Sequence, residues 1–386
     1  MTNYLIRRAF QMLLVVVVAS MSIYFILYLA PGGPLDGLRT TGRGVRVNSV
    51  TDADVQRLAE YLGLHRGPVW GYFAWLTGED WMDVVPEWLW PVSEITGERN
   101  PIQTSTCRAS PSACGKGVLR GEFGVSWEVA RGQPVGDVLL SRMRNTLILM
   151  VSATVLSLLV AIPIGIYSAV HQYSRMDYAF TTFAFFGTAM PVFWFALMLI
   201  ILVGGNQSPI YKVLGLPYMP TGNVTLLRAP LPGSLEAFLE VTPGSGLDIF
   251  IHALLPTIVL SLLYMAGWSR FMRSSMLEVL RQDYVRVARA KGLKERVVIY
   301  KHALRNALIP LITIVVFQIP GIFGGATITE TVFNWPGMGF LYVNALGRSD
   351  YPVAMAFLFV SSVLVVIAAL TGDVLYTIVD PRIRYN

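Results

Sequence analysis

Six long apolar runs constrain this chain more than any other feature of its sequence. They cover roughly residues 9–30, 146–170, 179–204, 253–272, 307–329 and 352–379. A run of about 18 or more apolar residues with few charges is typical of a helix that crosses a bilayer. Because 54% of the residues are hydrophobic, a soluble fold would have no way to cover this much apolar surface. We therefore predict an all-α polytopic membrane protein with six transmembrane helices.

The first run resembles a secretory signal, since Arg7 and Arg8 precede it. A signal has an apolar core of roughly 7–15 residues that ends in a small-x-small cleavage site. This run is longer and ends in LAPGGP. We interpret residues 1–30 as a retained first transmembrane helix, with the cleaved signal as the alternative.

The charges of the connecting segments predict the orientation in the membrane. If the N-terminus is cytoplasmic, the inside segments 1–8, 171–178, 270–306 and 380–386 carry 15 Lys/Arg and 5 acids. The outside segments then carry 15 Lys/Arg and 18 acids. Lys and Arg concentrate in cytoplasmic loops, so both termini are expected inside, with residues 381–386 as a cytoplasmic tail. The basic pI of 9.3 reflects this topology and does not indicate a nucleic-acid partner.

The predicted outside loop, residues 31–143, contains an irregular insertion at about 78–118 that is rich in Pro, Gly, Ser and Thr. Cys107 and Cys114 lie in it, and an isolated pair in an oxidising space favours a disulfide over two unpaired thiols. Before it, Gly63 and Gly67–Pro68 break a helical pattern into two short helices. Five of the nine Trp lie between Trp70 and Trp90, which indicates either a headgroup belt or a docking surface.

The sequence holds no motif for energy supply or catalysis. It has no GxxxxGK[ST] phosphate loop, no HExxH and no GxSxG, and its four His are scattered. Coupled carriers usually bury ionisable groups at mid-membrane, whereas these runs are almost bare of charge; Asp373 is the clearest exception. We predict a transport subunit that is not an enzyme, has no cofactor or metal of its own, and depends on a partner for energy.

Positive charge is concentrated in RVARAKGLKERVVIYKHALRN, residues 286–306, which hold seven Lys/Arg, one acid and one His. The spacing predicts a helix through SSMLEVLRQDYVRVARA, with Met276, Leu280, Tyr284, Val287 and Ala288 near one apolar face. Gly292 would then take a left-handed cap, and a second helix would run from about Lys294 to Ala307. Such a knob suits contact with a partner, but a positive-inside loop that only touches anionic lipid would look similar.

The stretch DYVRVARAKGLKERVVIYKHALRNALIP resembles the Glu–Ala–Ala loop of binding-protein-dependent ABC importer permeases. Aligned on Gly292, the Glu–Ala–Ala positions are Arg286, Val287 and Ala288, so the Glu and the first Ala are absent. These departures, together with ARAKG and HALRNA, resemble the oligopeptide/dipeptide branch. YLIRRAFQMLLVVVV, LRGEFGVSW, ETVFNWPGMG and DYPVAMA resemble the same branch. The resemblance covers nearly the whole chain except about 78–118.

The resemblance implies the type I ABC importer architecture in the bacterial inner membrane, with a five-helix permease core at 144–380 and a coupling loop at 276–306. It implies a second homologous permease in a heterodimer, two ATP-binding subunits that hold ATP and Mg, and an extracytoplasmic solute-binding protein. In such importers the loop sits in a cleft of the ATPase subunit. The implied contact residues are Ala288, Ala290, Lys291, Gly292, Leu293, Glu295 and Arg296, while His302, Leu304 and Asn306 would brace the loop.

The substrate path would lie between the two permeases, lined by the fourth and fifth helices. Gly321 and Gly325 are four residues apart, a spacing that suits either a gate or ordinary helix packing. Glu330 could attract a cationic peptide N-terminus or cap a helix. The branch handles di- and oligopeptides, nickel complexes and some glycosides, so the latter two are alternative substrates. A carrier that works without nucleotide is the less favoured alternative function.

Overall fold

The computed structural model describes residues 2–29, 60, 63–92, 99, 101–110, 112, 114–324 and 326–379. In these ranges the chain is helical, and its only β-pairings are isolated bridges. The helices are α1 (Thr2–Leu29), α2 (Gly67–Thr77), α3 (Ser105–Ala109), α4 (Val135–Val170), α5 (Arg175–Ala189), α6 (Val192–Val203), α7 (Pro209–Leu214), α8 (Leu235–Phe238), α9 (Gly246–Leu280), α10 (Asp283–Ala290), α11 (Glu295–Val297), α12 (Leu304–Gly324), α13 (Thr327–Val332), α14 (Met338–Gly347) and α15 (Tyr351–Val379). Short 3₁₀ turns lie at Leu64–Arg66, Met82–Val84, Glu87–Leu89 and Val118–Arg120, and a π-helical segment, Val298–Ala303, joins α11 to α12.

Five helical segments are long and apolar enough to cross a membrane: Ile6–Leu29, Val135–Val170, Gly246–Leu280, Glu295–Val316 and Tyr351–Gly372. The third predicted run differs, because α5 and α6 are bent by 106° at Met190–Pro191. Pro191 disfavours helical backbone at the preceding residue, and Met190 is extended (φ −83°, ψ 135°). The described residues therefore contain five candidate spans, or six if the bent pair is one broken span.

The chain divides into two compact units. The first comprises Arg142–Leu341 together with the chain from Leu364, and its central helix is α9, which packs against α5, α6 and α12. Gly165 permits the close approach of α4 to α9, since a Cβ at this position would lie 2.5 Å from Met272 Cβ. Ser157 Oγ also donates to Ser261 O at 3.0 Å. The two long helices are thus joined by both packing and a buried hydrogen bond.

The second unit comprises Thr2–Ser141 and Tyr342–Val363. In it α2 packs on α1, and the predicted insertion has its own small core of Ala74, Met82, Val85 and Ile102. Glu79 is buried at the centre of this segment, where it pairs with Arg66 and accepts hydrogen bonds from Thr104 N (2.9 Å) and Gly115 N (3.3 Å). The segment predicted to be irregular is therefore organised around a buried ion pair.

Helix α2 begins at Gly67 with Pro68 in its first turn, which confirms a helix start at the Gly–Pro pair. The helix expected before Gly63 and the tail at 381–386 lie outside the described residues. Cys107 and Cys114 are joined in a disulfide, with their Cα atoms 4.3 Å apart.

Candidate functional site

The predicted coupling loop is a compact projection, which we call the knob and define as residues 281–306. The sequence predicted one helix through SSMLEVLRQDYVRVARA, residues 274–290, but α9 ends at Leu280 and α10 begins at Asp283. The backbone N–H groups of Arg281 and Gln282 donate to Glu278 O and Val279 O, which closes the last turn of α9. The prediction of one continuous helix is therefore wrong here. The sequence did not reveal the break because no Gly or Pro lies at it.

Gly292 turns the chain between the two arms of the knob. Its φ is 73°, so the predicted left-handed cap is confirmed. Gly292 N donates to Arg289 O at 2.9 Å, and Leu293 N donates to Ala288 O at 3.4 Å. This pair of bonds is the Schellman motif, which satisfies the last carbonyls of a helix. No atom lies within 4 Å of the position that a Cβ on Gly292 would take. The glycine is therefore required by backbone conformation and not by lack of space.

The break at residue 281 resets the helical phase, and a different face of α10 is buried. Val285 and Ala288 pack with Val298 of the returning segment. Tyr284 and Val287, expected on the buried face, are 41% and 52% exposed. Ala288, which was predicted both on the apolar face and at a contact with a partner, is only 5% exposed. Ala288 instead belongs to the core that closes the knob.

The remaining predicted contact residues share one exposed strip at the tip of the knob. These residues are Ala290, Lys291, Gly292, Leu293, Glu295 and Arg296. The strip thus combines small residues, one apolar side chain and charged groups, all of which are open to solvent.

Arg289, which the sequence did not single out, links the two arms across the turn. Its Nη2 donates to Glu295 Oε1 at 2.7 Å, and both side chains are about half exposed. The hydrogen bond from Arg289 holds the pKa of Glu295 below its usual value, and the same bond raises the pKa of Arg289. Because Glu295 is already paired, it contributes to the strip as part of an ion pair and not as an isolated carboxylate.

The residues predicted to brace the knob lie where its second arm meets α12. Asn306 Nδ2 donates to Tyr284 Oη at 2.7 Å, which ties the two arms together near their base. Leu304 packs against the buried cluster that contains Met272, Met276 and Ala303, and His302 is half-buried. Ser275 Oγ donates to Ala307 O at 2.8 Å, so α9 and α12 are fastened below the knob. The knob is therefore attached to two long apolar helices.

A wide, shallow groove of about 460 Å³ runs beside the second arm. Arg296, Lys301 and Arg305 supply its charge, and Val297 and Tyr300 supply apolar surface. All five of these residues are exposed, whereas the adjacent Val298 is buried in the knob core. The basic character that stood out in the sequence is thus retained as accessible surface.

The residues predicted for the translocation path do not form one site in the described chain. Gly321 lies exposed in α12, and a Cβ there would meet only Gln318 Nε2, at 3.4 Å. Gly325 lies outside the described residues. Glu330 is fully buried, and it accepts hydrogen bonds from Thr146 Oγ1 (2.8 Å) and Phe340 N (3.0 Å).

These contacts make Glu330 a cap at the first turn of α14, which is the second of the two roles that the sequence allowed for it. Met338 N, at the start of the same helix, donates to Thr146 Oγ1 at 2.7 Å. Burial raises the pKa of Glu330, and the bonds from Phe340 N and Thr146 lower it less than burial raises it. Across the described ranges, no group of three or more His, Cys, Asp or Glu could hold a metal ion.

Comparison with known proteins places these features in a family. Residues 161–385 match the model of the binding-protein-dependent transport system inner membrane component. The match covers more than half of the chain and contains the whole knob. The chain belongs to this family. It is therefore a multi-pass inner-membrane permease of an ABC importer, and the family's description implies a binding protein and an ATPase as its partners.

Curated relatives extend the similarity to the full length. The oligopeptide transport system permease protein AppB of Bacillus subtilis (strain 168) is 35% identical over 385 residues, covering 100% of both chains. The dipeptide transport system permease protein DppB of Escherichia coli (strain K12) is 38% identical over 275 residues, covering 70% of this chain and 79% of its own. A putative peptide permease protein of Brucella suis is 33% identical over 385 residues, covering 100% and 99%.

Proposed function

We propose that this permease forms half of the translocation path for di- or oligopeptides, and that its knob receives the movement of an ATPase subunit. The observation that carries the proposal is the exposed strip from Ala290 to Arg296, presented by a Schellman turn and fastened to two long helices. The relatives are an oligopeptide permease and a dipeptide permease, which supports peptides as the substrate class. A nickel complex or a glycoside remains the alternative cargo.

The proposed assembly contains a second, homologous permease, two ATP-binding subunits that hold ATP and Mg, and an extracytoplasmic binding protein. Both termini and the knob face the cytoplasm in this arrangement, as the distribution of Lys and Arg predicts. The domain plan is a first helix at 1–30, an outside loop at 31–143 with its insertion at about 78–118, and a permease core at 144–380. The coupling loop at 276–306 belongs to the core, and the tail at 381–386 follows it.

The proposed mechanism uses the knob as a rigid link. When ATP closes the ATPase dimer, the two knobs of the permease pair approach each other, and the attached helices rock from inward-open to outward-open. The small core of Val285, Ala288 and Val298 lets the knob move as one body. Substrate delivered by the binding protein then enters the opened path. The coupling is therefore a mechanical connection between two distant sites.

Gly292→Val tests the connection. Valine is β-branched and strongly disfavours φ 73°, so the turn should shift even though space is open there. In the reconstituted importer we expect peptide uptake to fall by at least about tenfold, which corresponds to roughly 1.4 kcal/mol of lost coupling. Stimulation of ATP hydrolysis by the loaded binding protein should fall with it, while the permease remains folded in the membrane.

Gly215→Val is the matched control. Gly215 also follows the end of a helix and also has a positive φ, 63°. No atom lies within 4 Å of the position that a Cβ on Gly215 would take. It follows α7, however, and is far along the chain from the knob. If Gly292→Val leaves uptake and stimulated hydrolysis at the level of Gly215→Val, the coupling assignment is wrong. Ligand that co-purifies with the binding protein would separately test the substrate class.

A further inference from the structure

Helix α2 is apolar on every side although it lies between two loops. Its sequence, GPVWGYFAWLT, contains no charged residue. Gly71, Tyr72 and Ala74 form its buried face. On the opposite face Val69 is 54% exposed and Phe73 is 41% exposed. A helix that is hydrophobic all round normally lies in a large core or in a membrane.

Gly71 and Tyr72 of α2 pack against the last third of α1, whereas Ala74 packs with Met82, Val85 and Ile102. Tyr72 Oη and Ser20 Oγ are 2.9 Å apart, and the ring of Tyr72 contacts the rings of Tyr24 and Phe25. A Cβ on Gly71 would collide with the Tyr24 hydroxyl, so only glycine permits this approach. The contact between the two helices is thus specific in register.

The position of this contact along α1 gives its depth in the bilayer. The apolar segment Ile6–Leu29 has 24 residues, and at about 1.5 Å per residue it is about 36 Å long, against about 30 Å for the hydrocarbon core. If the segment is centred, Tyr24 lies roughly 5 Å and Ser20 roughly 10 Å inside the hydrocarbon boundary. Helix α2 therefore meets α1 below the headgroups.

The polar groups near α2 suit such an environment. The hydroxyls of Tyr72 and Ser20 bond to each other, and Ser20 Oγ also donates to Val17 O at 2.8 Å. The charged residues that flank the helix, Arg66 and Glu79, pair with one another and are buried in protein. A membrane requires that polar groups be satisfied internally, and the Tyr72–Ser20 and Arg66–Glu79 pairs meet that requirement. Trp75 Nε1 in α2 is the exception among the described atoms here, since it is buried without a hydrogen-bond partner.

We propose that α2 is a membrane-embedded helix that enters the bilayer without crossing it, and that Val69 and Phe73 face lipid acyl chains. On α1, Ile26 and Leu29 are also apolar and are 67% and 78% exposed. An 11-residue helix is about 16 Å long, too short to cross a hydrocarbon core of about 30 Å, so the chain must return to the side from which it enters.

Single cysteines test this placement, because the two native cysteines are joined in a disulfide. A nitroxide is attached at Val69→Cys or Phe73→Cys in the assembled importer, reconstituted in phosphatidylcholine–phosphatidylglycerol vesicles. Its relaxation by oxygen, which partitions into lipid, is compared with relaxation by a water-soluble nickel chelate. Leu14→Cys, 54% exposed in the middle of α1, is the lipid control, and Val84→Cys, 78% exposed after α2, is the water control.

We expect Val69 and Phe73 to match Leu14, with relaxation by oxygen exceeding relaxation by nickel, while Val84 shows the reverse. If the nickel chelate relaxes Val69 and Phe73 as strongly as Val84, α2 lies in water and the proposal fails. If neither reagent relaxes them, a protein subunit covers this face, and lipid is not the occupant. Retained peptide uptake in each variant shows that the labelled chains are assembled.

Discussion

The knob of this permease and the loops that contain a buried acidic side chain are stabilised by different interactions. Every Asp, Glu, Lys and Arg side chain in residues 281–306 is exposed, and the knob closes on three small apolar side chains and one glycine turn. Three other connecting segments are instead organised around buried acids, namely Glu79, Glu330 and Asp350. The difference between the two kinds of segment lies in where their charges are placed.

Asp350 shows the second arrangement most clearly. Its carboxylate accepts hydrogen bonds from Ser126 Oγ at 2.5 Å and from the backbone N–H groups of Trp127, Glu128 and Val129 at 2.9–3.1 Å. These bonds fix a loop to the residue that precedes α15. Removal of such an acceptor leaves several donors buried without partners, whereas removal of a knob charge leaves only solvated groups.

The placement of the polar groups determines which kind of segment can bind a partner protein. A loop built on a buried carboxylate has its hydrogen-bonding groups already used, so its conformation is strongly specified. The knob keeps its polar side chains available, and its shape depends on backbone conformation and a few apolar contacts. We therefore expect damage to the carboxylate loops to reduce stability, and damage to the knob to reduce communication with a partner.

Asp350→Ala should give the largest effect. It would leave one hydroxyl and three backbone N–H groups without their acceptor, and a buried unpaired donor costs about 1–3 kcal/mol. We expect a loss of at least about 3 kcal/mol in stability, measured as thermal unfolding in detergent and as the amount of permease in the membrane.

Asp283→Ala is the control for this change, since the Asp283 side chain is 94% exposed in the knob. Its loss should stay within about 0.5 kcal/mol. If the two substitutions destabilise the permease equally, the buried acceptor contributes nothing to the free energy of unfolding. The distinction between the two kinds of segment would then be wrong.

Glu330→Gln should give an intermediate, pH-dependent effect. Burial raises the pKa of Glu330, so the folded state holds its proton to higher pH than the unfolded state does. Its favourable contribution is complete below the ordinary glutamate pKa and is lost as pH rises through the raised value. Glutamine stays neutral throughout, so the stability of the wild type relative to Glu330→Gln should fall across that pH window, as measured by thermal unfolding.

Glu278→Gln serves as the comparison, since Glu278 is exposed at the end of α9. The stability of this variant is measured over the same pH range as that of Glu330→Gln. A flat difference between the wild type and Glu330→Gln would show that the Glu330 carboxyl keeps ordinary solvation, and its role as a buried cap would then be wrong.

Local sequence patterns predicted the features that depend on local chemistry. The apolar runs located the long helices, and the glycine in RAKGLK predicted a left-handed turn, because few other residues adopt φ near 73°. Pro191 also carried a readable signal for the 106° bend between α5 and α6, which the apolar run alone concealed.

Other features depend on contacts that sequence spacing does not encode. The break at Arg281 has no Gly or Pro, and it alone moved Ala288 from the expected surface into the core of the knob. The bond from Asn306 to Tyr284 and the bonds from Trp127 and its neighbours to Asp350 join residues 22 and more than 200 positions apart. Only the folded chain brings such partners together.

The Arg289–Glu295 pair should give the smallest effect and the sharpest test of the knob's character. Both side chains are about half exposed, and exposed ion pairs contribute about 0.2–1 kcal/mol because water and salt screen them. A double-mutant cycle with Arg289→Gln, Glu295→Gln and both together should therefore yield a coupling energy in that range from thermal unfolding.

The same cycle should depend on salt and pH in a defined direction. The Arg289 hydrogen bond lowers the pKa of Glu295, so its contribution is complete above the ordinary glutamate pKa and is lost as pH falls through the lowered value. High salt should reduce the coupling further, since the pair is open to solvent. A coupling energy above about 2 kcal/mol that resists salt would exceed what exposed pairs supply. The knob would then be stabilised by charge in the same way as the loops built on Glu79 and Asp350, and its mutations should reduce stability before they reduce coupling.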